Sequence, residues 1–160
     1  MPVREGDRVP DVEVMEMAGG KPTPVSLAEL SKGKRVVVFA VPGAFTPTCH
    51  AKHLPGFVQR ADEIKAKGVD EIVCLAVNDV FVMDAWGRAS GAEGKVRMLA
   101  DGNGDLARAL GLELDASGFG MGRRSQRFAM VLRDGVVEKL LVEPGPGLSV
   151  SSAESVLAAL

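Results

Sequence analysis

RVVVFAVPGAFTPTCHAKHLPGF (residues 35–57) decides the fold. Arg35 to Val41 form a near-continuous apolar run, the mark of a strand covered on both faces. Pro42 and Gly43 stop that strand. Thr46-Pro47 then opens a helical pattern over residues 47–67, with Leu54, Val58, Ala61 and Ile64 at mixed spacings of three and four. A buried strand feeding into a helix is the opening unit of an α/β sheet. Cys49 falls in the first turn of this helix, with His50 and His53 behind it. Three roles compete for it: small buried side chain, metal ligand, or activated nucleophile.

The rest of the chain extends the same alternation. EIVCLAV (71–77) reads as a second buried strand and VFVMDAWGRAS (80–90) as the helix after it. VRMLAD (96–101) is a strand, and GDLARALG (104–111) a short helix closed by Gly111. RFAMVLRDGVVEKLLVE (127–143) gives two strands joined at Asp134-Gly135. Ser151 and Glu154 are expected to cap a last helix, AESVLAAL (153–160). Upstream, DVEVMEMAGGKPTPVSL (11–27) alternates around Gly19-Gly20 as a β-hairpin does, and Ser26 with Glu29 forms a capping box. This order predicts an α/β, thioredoxin-like fold: a mixed central β-sheet flanked by helices, with an N-terminal β-hairpin. No repeat or long linker divides the chain, so residues 1–160 are expected to form one domain.

Hydrophobic residues make up 46% of the 160 and charged residues 25%, the balance of a soluble globular chain. A net charge of −2 gives no electrostatic footprint for nucleic acid or an anionic membrane. No apolar run approaches the roughly eighteen residues of a membrane span. MPVREGDRVP has neither an apolar signal core nor an Arg/Ser-rich transit segment, which favours a cytoplasmic protein. A plastid or mitochondrial protein with its transit peptide removed would read the same. Two cysteines do not make a secreted disulfide scaffold.

Pro47 suits a first helical position, which makes Thr46 the expected N-cap, its hydroxyl accepting from a first-turn amide. Cys49 then lies among unpaired amide donors at the positive end of the helix dipole. Both effects favour the thiolate, the reactive form. A structural zinc needs about four ligands, and the candidates are Cys49, His50, His53 and Cys74. Cys74 stands in a strand without a partner at C-x2-C spacing, so no metal is expected. A hydrolytic Cys–His dyad lacks a marked Asn or Asp to orient the imidazole. Both histidines are therefore read as partly solvated helix surface.

Cys74 alternates with Ile72 and Ala76 and should face the packed side of the sheet. It is either buried and inert or a resolving thiol for an oxidised Cys49. The second role needs the two Cα atoms within about 7 Å, and so local unwinding of the first helix turn. In GMGRRSQRFAM (120–130), Arg127 directly precedes Phe128 and is the arginine best placed to point inward. A guanidinium beside Cys49 would stabilise its thiolate and orient an oxygen substrate.

PGAFTPTC (42–49) fits the P-x3-T-x2-C signature of the peroxiredoxins. HLPGF, VND-FVM-AW, LADGNG, GLELD, R-x-x-RF and the terminal SSAE resemble the type II (atypical two-cysteine) branch over nearly the whole chain. The resemblance implies a thiol-dependent peroxidase for hydrogen peroxide and alkyl hydroperoxides, with no metal or organic cofactor. It implies that Cys49 is the peroxidatic nucleophile, oxidised to a sulfenic acid. Thr46 would hydrogen-bond the peroxide, Arg127 would hold thiolate and peroxide oxygen, and Pro42 would shield the site from water. Gly43 and Phe45 would line the substrate side, with first-turn amides facing the developing charge.

Recycling has several expected routes. Cys74 matches the second cysteine of plant-like members, whereas GLSVSSAESVL (147–157) lacks the resolving cysteine that others carry near the C-terminus. Reduction thus falls to Cys74, to glutathione/glutaredoxin or to thioredoxin, with glutathione/glutaredoxin favoured. Relatives often form homodimers beside the active site, for which Phe45, Phe81 and Trp86 are candidates, core packing being the alternative for each. A redox sensor or relay passing oxidation to partner proteins would use the same Cys49. A thioredoxin-like binding module with an inert cysteine is the third reading.

Overall fold

The computed structural model describes residues 2–160. Alternation around Gly19-Gly20 produces the expected hairpin, β1 (Glu13–Ala18) paired antiparallel with β2 (Lys21–Ser26). Ser26 caps the short α1 (Leu27–Leu30), its Oγ accepting from the Glu29 amide at 3.1 Å. The apolar run becomes β3 (Arg35–Val41). The helical segment that follows starts at Pro47, widens into a π turn over Cys49–His53, and continues as α2 (Leu54–Gln59) and α3 (Ala61–Ala66). Next come β4 (Glu71–Ala76), α4 (Val80–Ala89), β5 (Arg97–Ala100) and α5 (Asp105–Leu110). The two short strands β6 (Glu113–Asp115) and β7 (Arg123–Ser125) pair with each other. β8 (Phe128–Arg133), β9 (Val136–Val142) and α6 (Ala153–Ala159) complete the chain.

The main sheet has the order β2-β1-β5-β4-β3-β8-β9. β3, β4 and β5 run parallel, while β1 and β8 join them antiparallel, so the sheet is mixed. Successive side chains of a strand point to opposite faces, and both faces of β3 are dry. Val37, Phe39 and Val41 pack under α2, α3, α4 and α6, while Val36, Val38 and Ala40 pack with residues of α1 and α5. This two-sided cover explains why the strand has no polar alternation.

Several expectations are corrected. The helix expected over 47–67 is interrupted at Arg60, whose φ of −103° and ψ of 12° leave the helical region. β4 stops at Ala76, one residue early, level with the end of β3 at Val41, and the Val77 carbonyl accepts from Arg124 Nη1 at 3.1 Å. The last helix is capped by Ser152, whose Oγ accepts from the Ser155 amide at 3.1 Å, and not by Ser151, whose hydroxyl donates to Glu143. Trp86 is fully buried, which removes it from any surface role.

Gly87 lets α4 approach the sheet: a Cβ there would lie 2.6 Å from Met98 Cγ on β5. Gly87→Ala should destabilise the fold by about 1–2 kcal/mol, overpacking outweighing the helix-propensity gain of alanine. Urea denaturation measures this, and a more stable variant would show that Met98 moves aside freely.

Candidate active site

The end of β3 delivers Pro42 and Gly43 into a tight loop. Gly43 is buried, and a Cβ on it would meet Met121 Cε at 3.0 Å and Thr46 Cγ2 at 3.1 Å, so a larger residue would need these neighbours to shift. The Ala44 amide donates to Asn78 Oδ1 at 2.9 Å, tying the loop to the end of β4. Phe45 adopts a φ of 61°, a left-handed conformation uncommon for a bulky residue, and is 49% exposed. Its ring leans on His50 and Trp86, with centroids 5.5 and 6.3 Å away. The Thr46 hydroxyl donates to the Gly43 carbonyl at 2.6 Å instead of accepting from a first-turn amide, so the expected side-chain cap is absent. That leaves its oxygen lone pairs facing other partners.

The π turn has a local cause. Pro55 has no N–H to give to the Ala51 carbonyl, and its ring crowds the turn before it. One extra residue in that turn accommodates the ring, and the Leu54 amide bonds back to the Cys49 carbonyl five residues away. The widened turn carries both Cys49 and His53 into the interior.

There Cys49 Sγ accepts from Arg127 Nη2 at 3.1 Å, with the cysteine fully buried and the arginine nearly so. Arg127 Nη1 lies 2.8 Å from His53 Nδ1, and His53 Nε2 lies 2.8 Å from the Ser151 carbonyl. A guanidinium only donates and a carbonyl only accepts, so His53 is the neutral tautomer with its proton on Nε2. Its ring packs beside the stacked pair Phe39 and Phe57, with centroids at 5.0 and 5.6 Å. Burial, together with the Arg127 charge and against the Ser151 bond, pulls its pKa down to about 4. The histidine read as solvated surface is thus a core residue bonded to Arg127. His50 is exposed as expected, yet its Nδ1 accepts from Trp86 Nε1 at 3.0 Å.

Cys74 is buried in β4 opposite Phe39 of β3. Burial, with Cys49 nearby, pushes its thiol well above the usual range, and no disulfide is formed. Among the described residues, no group of three or more His, Cys, Asp or Glu is arranged to hold a metal ion. Of the singled-out residues, Thr46 bonds back to Gly43 in the loop that Pro42 opens, and Cys49 meets Arg127 across the site; Cys74 shares the apolar cluster of Cys49. Sequence reasoning missed His53, Asn78 and Arg124. The four-residue spacing from Cys49 to His53 was the available signal. Arg124, whose Nε donates to the Met121 carbonyl at 2.8 Å, holds the neighbouring turn against Gly43, and nothing local distinguished it from a solvated arginine.

The Redoxin family model matches residues 4–157. Peroxiredoxin-2B of Arabidopsis thaliana is 48% identical, covering 99% of both chains. The chloroplastic Peroxiredoxin-2E-2 of Oryza sativa is 50% identical over 97% of this chain and 71% of that one. Among solved structures, reduced Prx3 of Vibrio vulnificus in complex with H2O2 superimposes with a TM-score of 0.95 at 49% identity, covering 98% of each chain.

The neutral His53 gives the fold a pH dependence with a definite sign. Its folded value of about 4 lies below the ordinary 6.5, so the unfolded chain takes up the proton first. The stability is complete above pH 6.5 and falls as the pH drops toward 4. About 2–3 kcal/mol should be lost between pH 7 and pH 4.5 on this account alone. Urea denaturation at both pH values should show that loss in the wild type and a smaller one in His53→Gln. Equal losses would mean that His53 does not titrate in this way.

Proposed function

The chain belongs to the redoxin family, in the type II branch of the peroxiredoxins, and we propose that Cys49 is the thiolate with which this thiol peroxidase attacks its substrate. The observation that carries this assignment is the buried 3.1 Å bond from Arg127 Nη2 to Cys49 Sγ at the start of a helical segment. A cation and the positive end of the helix dipole both face that sulfur. The sulfur lone pair forms an S–O bond to one peroxide oxygen as the O–O bond breaks. The other oxygen leaves as water or an alcohol, taking the proton of the attacked oxygen, and a sulfenate remains on Cys49.

Arg127 holds the attacked oxygen as well as the sulfur. Its buried Nε has no protein partner among the described residues, which supports a donor reserved for substrate. Thr46 orients the peroxide through its free lone pairs, Gly43 and Phe45 form the substrate wall, and half-buried Pro42 limits water. We take hydrogen peroxide and small alkyl hydroperoxides as the substrates, since only a small molecule reaches a sulfur this buried.

For recycling, an external thiol fits better than Cys74. Cys74 is held between β3 and β5 in the sheet, and its thiol stays protonated and a poor nucleophile. Glutathione, or glutaredoxin, attacks the Cys49 sulfenic acid to release water and form a mixed disulfide, which a second thiol reduces; thioredoxin is the other candidate reductant. The exposed rings of Phe45 and Phe81, 49% and 65% accessible, support a homodimer contact beside the site. All 160 residues act as one domain. We assign the protein to the cytoplasm, with an organelle the alternative suggested by its chloroplastic rice relative.

Arg127→Ala should keep the fold and slow Cys49 oxidation about a hundredfold in stopped-flow reaction with peroxide. An unchanged rate would remove Arg127 from the reaction, and fast oxidation without turnover on any thiol would mark a relay instead. Mass spectrometry after one equivalent of peroxide and excess glutathione should find a glutathione adduct on Cys49, unaltered by Cys74→Ser. A Cys49–Cys74 disulfide in the wild type would overturn the external route.

A further inference from the structure

Glu143 follows β9 directly and is only 6% exposed, an unusual place for a carboxylate outside the reacting groups. Its main-chain N–H donates to the Arg127 carbonyl at 3.0 Å. Its Oε2 accepts from the amides of Ser149 and Val150 at 2.9 Å, from the Ser151 amide at 2.8 Å and from Ser151 Oγ at 2.7 Å. Its Oε1 accepts from Ser149 Oγ at 2.8 Å. Burial raises this carboxyl, but the Ser151 and Ser149 donors more than offset that and bring it down to about 2, so it is anionic at neutral pH.

The segment it gathers, 144–150, is rich in Pro and Gly and has no regular secondary structure of its own. Five donors converging on one carboxylate give it a fixed path. That path sets the Ser151 carbonyl, which accepts from His53 Nε2; His53 Nδ1 in turn accepts from Arg127 Nη1. The bonds close a ring. Arg127 is held at its main chain by the Glu143 amide and at its guanidinium by His53, which the Glu143 carboxylate positions through Ser151.

We propose that Glu143 is a positioning residue for the peroxide reaction, holding the Arg127 guanidinium on Cys49 through Ser151 and His53. The proposal rests on the roles given above to Cys49 and Arg127. A displaced guanidinium loses its aim at the peroxide oxygen, a contact that alkylation of the sulfur does not use. The peroxide reaction should therefore suffer more than reaction with iodoacetamide, which needs no such aim.

The test compares full-length wild type, Glu143→Ala, Glu143→Gln and Glu143→Asp, with Cys49 modification followed by mass spectrometry and folding by circular dichroism. Wild-type Cys49 is measured first, and failure to react with peroxide there would sink the peroxidase assignment, not the ring. Glu143→Ala should slow oxidation by hydrogen peroxide about tenfold to a hundredfold, and alkylation by iodoacetamide less than about threefold. Glu143→Gln keeps an acceptor for the amides and a donor for Ser149 Oγ, and should stay within about threefold of wild type in both reactions. If Glu143→Ala does not fold, Glu143→Asp carries the test: its carboxylate retracts by about 1.5 Å and should lower the peroxide rate selectively. A folded Ala or Asp variant with the wild-type ratio of the two rates, including one in which both fall equally, overturns the proposal.

Discussion

A guanidinium buried against a cysteine is the constraint on which this architecture turns. Taken from water, the Arg127 charge needs partners for its donors. The sheet provides the first of them: β8 pairs antiparallel with β3, Phe128 opposite Ala40, so Arg127 stands where β3 ends and the Cys49 loop begins. The pairing has to hold through the whole of β3 for that meeting to occur. A one-residue slip would turn Arg127 to the other face. The unbroken valine-rich strand, buried on both sides, therefore serves the site as directly as any polar residue does.

The second partner comes from a defect in a helix. Pro55 forces the turn before it to widen, and the widened turn carries His53 inward with Cys49. Burying an imidazole beside two phenyl rings makes sense only if it stays neutral, and a neutral imidazole can accept from arginine. An ionised histidine would offer Arg127 a second positive charge in place of a lone pair. Desolvation by Phe39 and Phe57 is thus part of what lets Arg127 face the sulfur. Packing and electrostatics are the same fact here.

Much of this was legible in the sequence because its causes are local. The run Arg35–Val41, the Asp134-Gly135 turn and the Pro47-to-Cys49 helix start each show their structure within a few residues. Arg127 was legible because it adjoins a buried strand whose direction could be inferred. His53 was not: its carbonyl partner, Ser151, lies 98 residues away, and nothing near either residue marks the pairing. Adjacent Ser151 and Ser152 both suit a cap, and only the position of Glu143 decides which one is free for it. β6 and β7, three residues each, are too short to show a period. The Thr46 hydroxyl turned toward Gly43 because the loop folds back on itself, a shape that composition does not encode.

Trp86 is the chain's one tryptophan, and the sequence has no tyrosine. Its indole N–H is bonded to His50, the residue next to Cys49, and its ring lies beside Phe45 of the same loop. The ultraviolet emission of this protein thus comes from a single tryptophan bonded to the turn that carries Cys49. Unwinding of that turn, or a change of charge within it, alters the indole's hydrogen bond and hence its emission. The indole is thereby placed as an intrinsic optical probe of the turn that carries Cys49, with no label required.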